Sequence, residues 1–154
     1  MIKRIVVPVD FSNTSLQALD YAVDFGRPFK AEIVVVHVIE PIYFTSPTDM
    51  YVPSFNTGML LDEQRRIGRE QLASLAADLK KRRINARTIL QTGSAHQVIT
   101  DTAKRVKADL IVMATHGRTG LSHVVLGSVA ERVVRHAECP VLTVRGSKRR
   151  KAKR

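Results

Sequence analysis

Short β-branched runs alternate along the chain with stretches whose apolar residues recur every three or four positions. Residues 2–9 (IKRIVVPV) predict a first strand, with Pro8 near its end because an imide nitrogen cannot donate to a sheet ladder. Ser12, Asn13 and Thr14 supply N-cap residues. Leu16, Leu19 and Val23 then line one face of a helix that Gly26 and Pro28 close. Residues 31–38 (AEIVVVHV) predict a second strand, apolar almost throughout and therefore covered on both faces. Leu61, Leu72, Leu75 and Leu79 mark a long helix over 59–82, with Gly68 a weak point inside it. Further strands follow at 86–91, 109–114 and 140–144. Ser94 with Gln97 has the spacing of a capping box and opens a helix to about residue 106. Ser128 with Glu131 has the same spacing, ahead of a stripe of Val129, Val133 and Ala137.

The resulting order, βαβαβαβαβ, predicts an α/β fold: a five-stranded parallel sheet of Rossmann-like form, with helices on both faces and right-handed crossovers. Ligands of such sheets sit beyond the C-terminal ends of the strands, where the strand order reverses. The segments after Val9, Val38 and Ala114 are the ones to inspect. Residues 40–58 hold Pro41, Pro47, Pro53 and Gly58 with Tyr43, Phe44, Tyr51 and Phe55. They predict a long loop, either a lid or a partner surface.

Composition narrows the class. The 154 residues, 44 % hydrophobic and 25 % charged, suit one domain with its own core. Of the formal net charge of +11, the last ten residues (RGSKRRKAKR) carry seven with no acidic residue among them. Residues 1–144 are read as the folded domain and 145–154 as a self-repelling, disordered arm, either a solvated end or a contact for a polyanion such as nucleic acid. With no Trp and eight Phe and Tyr there is little provision for stacking on bases. Cys139 is the sole cysteine, so no intramolecular disulfide can form, and its place before Pro140 suggests an inert thiol. The N-terminus lacks the apolar core of a signal peptide, and runs such as Ile33–Val36 fall far short of a membrane span. A cytoplasmic protein is expected.

The segment after the fourth strand carries the most chemistry. It reads Ala114-Thr115-His116-Gly117-Arg118-Thr119-Gly120, then Leu121 to Leu126, then Gly127-Ser128 and a helix. Glycines let a backbone approach a ligand, and the bare N–H groups of a helix start stabilise anions. Gly127, Ser128 and Val129 are placed to hold phosphates, with Arg118 as a nearby positive charge. The alternative is purely structural, with Gly117 and Gly120 as turn residues and Ser128 as a cap. Neither GxxxxGK[ST] nor GxGxxG occurs, which argues against a P-loop NTPase and a dinucleotide site. The five histidines, at 37, 96, 116, 123 and 136, show no i, i+4 ligand pairing and are read as surface or capping residues, a hydrogen bond to phosphate being the alternative for His116 within the turn. No Ser-His-Asp or Cys-His arrangement is identifiable, nor a base for hydrolysis.

These residues resemble the universal stress protein family over nearly all of 1–144. Ile5-Val6-Val7-Pro8-Val9-Asp10-Phe11-Ser12 is similar to the family's first strand, and His37-Val38 to the end of its second. Met113 to Gly127-Ser128, then Val129-Ala130-Glu131-Arg132-Val133 and Cys139-Pro140-Val141-Leu142, complete the likeness. The family's ATP-binding branch carries G-x2-G-x9-G-[ST]; here Gly117 and Gly127-Ser128 match and Ala114 replaces the first glycine.

The resemblance implies ATP and Mg²⁺ as cofactors. Asp10 would bond the ribose or help place the metal ion, or else cap the first helix. The Val38 backbone would read the adenine edge, with Pro8, Val9 and Met113 walling the base; plain core is the other role open to Val38 and Met113. Ala114, Gly117 and Arg118 would follow the ribose and phosphates, and Gly127, Ser128 and Val129 would hold the phosphate tail. The implied protein is a nucleotide-binding regulator of the stress response, a homodimer paired through Val141–Val144. The alternatives are a module that binds protein partners without nucleotide, a slow ATPase, and a polyanion binder driven by the tail.

Overall fold

The computed structural model describes residues 1–41, 57–115 and 126–146. Most of the 40–58 loop, Gly117 and Arg118 with His116 and His123, and the tail from residue 147 lie outside the described residues. The elements are β1 (Arg4–Pro8), α1 (Asn13–Gly26), one 3-10 turn (Arg27–Phe29), β2 (Glu32–Ile39), α2 (Thr57–Lys81), β3 (Ala86–Thr92), α3 (Ala95–Arg105), β4 (Leu110–Ala114), α4 (Ser128–His136) and β5 (Val141–Val144). The sheet order is β3-β2-β1-β4-β5 and every pair is parallel. The expected α/β class, five parallel strands and two layers of helices are all present.

Strand alternation builds two cores from one sheet. Ile5 and Val7 of β1, Ile33 and Val35 of β2, and Leu110 and Val112 of β4 face Leu19 and Val23 of α1 and Leu72 and Leu79 of α2. Val6, Val34, Val36, Ile111 and Met113 face Ile99 and Ala103 of α3 and Ala130 and Val133 of α4. Val6, Val7, Val34, Val35, Val36, Ile111 and Val112 have no exposed surface, so each contributes roughly 1.5–3 kcal/mol of burial. α1 and α2 therefore cover one face and α3 and α4 the other. The chain leaves β1 for one face and β4 for the opposite one, and these two strands are neighbours.

The helix starts correct two expectations. Of the three expected N-cap residues it is Ser12 that caps α1, its Oγ accepting from the Ser15 N–H at 3.3 Å, while Asn13 and Thr14 lie inside the helix. Ser94 does occupy the N-cap of α3, but its side chain makes no cap bond; Oγ lies 3.0 Å from His96 Nδ1 instead. The Ala95 N–H donates to Glu40 Oε1 at 2.8 Å, so a carboxylate just past β2 satisfies that end. Ser128 is not an N-cap at all. Gly127 is, because the Glu131 N–H donates to the Gly127 carbonyl at 2.9 Å, and the Glu131 carboxylate turns away to Arg135 at 2.8 Å.

The opposite end of the sheet is closed by a repeated device. Lys30, Arg83 and Lys107 each follow a helical segment with φ of 54°, 56° and 52°. In each case two backbone bonds return to the last turn, as from Lys30 to Arg27 and from Ala31 to Gly26, which satisfies carbonyls the helix leaves open. A cation in the left-handed region costs about 1 kcal/mol, offset by its attraction to the negative helix end.

Asp109, just ahead of β4, ties that strand to the start of β1. Its Oδ2 accepts from the Lys3 N–H at 2.7 Å and the Arg4 N–H at 2.9 Å. These two backbone donors hold its pKa below the usual carboxylate range. A depressed folded-state pKa stabilises the fold at every pH above the unfolded value, and that contribution is lost as pH falls through the folded one. Asp109→Ala is expected to lower the unfolding free energy at pH 7 by about 1 kcal/mol. In urea titrations the gap between variant and parent should close in strong acid.

Candidate functional site

The end of β1 departs from the sheet in a defined way. The Val9 N–H still donates to the Val36 carbonyl at 2.8 Å, but the Val9 carbonyl takes the Nδ1–H of His37 at the same distance. Val9 is the last β1-side residue held to β2 by a backbone bond, and Asp10 begins the turn. Asp10 Oδ1 accepts from the Ser12 N–H at 3.0 Å and from the Ser12 hydroxyl. The Asp10 N–H in turn reaches Ser15 Oγ at 3.3 Å. Asp10 is therefore not itself the cap of the first helix, the structural role weighed for it; it bonds Ser12, which is. Phe11 sits at φ 62°, an unusual value for an aromatic residue, with its ring edge-on to His37 at a centroid distance of 4.8 Å.

Ladder parity then orients β2. The Glu32 N–H donates to Lys3, and Val36 accepts from Val9, so even-numbered residues of β2 face β1. The Ile33 N–H donates to Asn85, and Ile39 accepts from Gly93, so odd-numbered residues face β3. The backbone groups of Val38 accordingly point to the β1 side, past the place where β1 has ended. Its side chain is half-buried against the α3–α4 core.

At the end of β4, the Thr115 N–H donates to the Val144 carbonyl at 2.9 Å and the Thr115 carbonyl accepts from the Gly127 N–H at 2.7 Å. α4 therefore starts one hydrogen bond away from the end of β4. Its N-cap, Gly127, has no side chain to cap it. The N–H groups of Ser128, Val129 and Ala130 make up its first turn, where a helix offers no acceptor of its own. Gly127 has φ −67° and ψ 155°, values any residue adopts, so its dihedrals do not require glycine. What glycine supplies there is the lack of a side chain at the mouth of the helix.

The other expected positions fall as follows. Pro8 ends β1 and pairs in register with Val36. Val9 and Met113 are 4 % and 5 % exposed and sit in opposite cores, and Ala114 is half-buried against the α1–α2 core. Among the described residues no group of three or more His, Cys, Asp or Glu could hold a metal ion. Burial pushes the Cys139 thiol above its ordinary pKa, which lowers its thiolate fraction at neutral pH and suits an unreactive role.

The universal stress protein family model matches residues 1–145. The chain belongs to this family. Among curated members, Universal stress protein MJ0531 of Methanocaldococcus jannaschii is 35 % identical over 150 residues, covering 97 % of this chain and 85 % of that protein. The solved universal stress protein UspA of Lactobacillus plantarum superposes with a TM-score of 0.80 at 25 % identity, over 94 % of this chain and 98 % of that one. Two further family structures share the fold. One, from Arabidopsis thaliana, has AMP bound (TM-score 0.63, 23 % identity, 95 % and 93 % coverage). The other is a complex with cAMP (TM-score 0.62, 24 % identity, 95 % and 98 % coverage).

His37 is the residue that reading the sequence of this universal stress protein misplaced. It is neither a surface nor a capping histidine but 9 % exposed, bonded to Val9 and backed by Phe11. Gly68 of α2 lies against the same ring. A Cβ there would stand 3.1 Å from His37 Cδ2 and 3.1 Å from Leu90 Cδ1. The apparent weak point in the long helix is where α2 closes on the imidazole. Gly68→Ala improves helix propensity by about 1 kcal/mol, yet a ring pinned to the Val9 carbonyl cannot yield freely. The variant is expected to melt below the parent; a raised midpoint would show that the ring is not held.

Proposed function

We propose that the chain binds an adenosine polyphosphate with Mg²⁺ at the C-terminal ends of β1 and β4, and acts as a cytoplasmic regulator through nucleotide-dependent conformation or partner choice. The observation that carries this reading is the start of α4, whose N-cap is a residue without a side chain; α4 follows β4, the neighbour in the sheet of β1, which Asp10 follows, at the point where the strand order reverses. Such a helix start attracts phosphate through its bare N–H groups and its dipole. Asp10 supplies one carboxylate, which suits Mg²⁺, an ion that is commonly held by one or two carboxylates, phosphate oxygens and water. The Val38 backbone offers a donor and an acceptor to an adenine edge. Gly117 and Arg118 would add phosphate contacts. AMP and cAMP in two solved members of the family support an adenine nucleotide as the ligand class.

The same reading includes a homodimer. The carbonyls of Pro140, just ahead of β5, and of Val144, at its end, turn inward to Ile111 and Thr115 of the β4 side. The backbone groups of Val141 and Thr143 therefore face away from the sheet, ready to pair with a second β5.

Calorimetric titration of nucleotide-stripped protein with ATP and Mg²⁺ tests the site. The parent is expected to bind well below millimolar concentration. The double variant Asp10→Ala, Gly127→Val should lose at least tenfold in affinity while keeping its fold, since valine adopts the dihedrals of Gly127. No heat from the parent at millimolar ATP would overturn the reading.

A further inference from the structure

Aromatic side chains are scarce in this chain, yet three of them stand exposed along one ridge. Tyr21 is 57 % exposed, Phe25 44 % and Phe29 42 %. Tyr21 and Phe25 are one helical turn apart on α1, and the Phe25 and Phe29 rings lie 6.2 Å apart. A ridge of this kind is a recognised mark of an interaction surface. Its place in the fold identifies the partner. The flank of α1 that carries Asp20 meets Arg82, the residue that follows α2, at 3.1 Å. The other flank, bearing Thr14 and Gln17, lies against Gly146, two residues past β5. Tyr21 and Phe25 follow Thr14 and Gln17 at helical spacing, so the ridge overhangs the β5 edge. Leu142, 39 % exposed, has the strand parity of Val144, whose side chain belongs to the α1 side of the sheet. It forms the floor beneath the overhang.

We propose that the Tyr21–Phe25 ridge is the upper half of the interface between two copies of this chain, the lower half being β5. The proposal rests on the reading of β5 as a pairing edge. α1 makes its main sheet contact with β4. Antiparallel pairing of two β5 strands then separates the two α1 axes by three strand spacings of about 4.8 Å, or roughly 14 Å. Helices that pack directly stand only about 8–10 Å apart. The difference, roughly 5 Å, is a trough floored by Leu142 from each copy that small side chains would leave wet, and aromatic rings from both sides fill it. Height agrees as well. A two-fold axis through β5 falls near Leu142, at the middle of the strand. Thr14 is level with Gly146; Tyr21 lies roughly 10 Å back along α1 from Thr14, and Leu142 roughly 13 Å back along the chain from Gly146, so the two stand within roughly 3 Å in height. Tyr21 meets its own counterpart close to the axis, and Phe25 flanks it.

Sedimentation equilibrium and cross-linking test this in the full chain. Both side chains are exposed in a single copy, so Tyr21→Asp and Phe25→Asp leave the monomer folded. The expected result is a dimeric parent and a dissociation constant raised at least a hundredfold in each variant. In a Cys139→Ser background, Tyr21→Cys should be joined into a covalent dimer by a short bismaleimide, while Lys30→Cys on the exposed turn should not. Loss of the dimer in Thr143→Pro, which removes an outward N–H, together with its retention in both aspartate variants, would overturn the ridge and leave the β5 reading standing. A parent that is monomeric at all concentrations would overturn both.

Discussion

A sheet buried on both faces has to send its connecting helices to one side or the other, and where they change sides two neighbouring strands hand the chain to opposite layers. That constraint sets the architecture here. β1 hands the chain to α1 on one face, β4 hands it to α4 on the other, and the two strands are adjacent. This switch point follows from topology and needs no special residue to create it. What the described residues add there is a helix start with glycine as its N-cap after β4 and a carboxylate bonded to Ser12 after β1.

The turn after β1 is held by a polar contact inside an apolar core. The imidazole of His37 takes the Val9 carbonyl just where the ladder to β2 stops, so that carbonyl is satisfied without prolonging the strand. The same ring supports Phe11 in its left-handed conformation and receives α2 at Gly68. One side chain thereby fixes where β1 ends, where Asp10 begins and how closely a 25-residue helix approaches the sheet. Phe11 and Gly68 each carry a local conformational cost, and both costs are offset by this single packing site.

Most of the fold was legible because its determinants are local. The β-branched runs placed all five strands within two residues, and Ser12 was recognisable as a cap since its partner is three residues away. The misread features have distant partners. Ser94 and Gln97 have the right spacing, but the amide behind Ser94 is satisfied by Glu40, 55 residues back. Ser128 looks like a cap until the Gly127 carbonyl is seen to start the helix one residue earlier. His37 could not be placed, since its bonding partner lies 28 residues away in another strand. Gly68 read as a defect because helix propensity knows nothing of the ring it meets. Tyr21 and Phe25 drew no attention in the sequence, since they lie off the buried stripe of α1 and acquire meaning only beside β5.

The central claim is that the first turn of α4 and the turn after β1 hold one phosphorylated ligand between them. Backbone amide shifts of nitrogen-15-labelled protein, followed while ATP and Mg²⁺ are added, address it most directly. The account predicts that the largest changes fall together on Asp10, Val38, Ser128, Val129 and Ala130, with α2 beyond Gly68 almost unaffected. Saturable shifts confined to other surfaces, with those five amides unmoved, would contradict it.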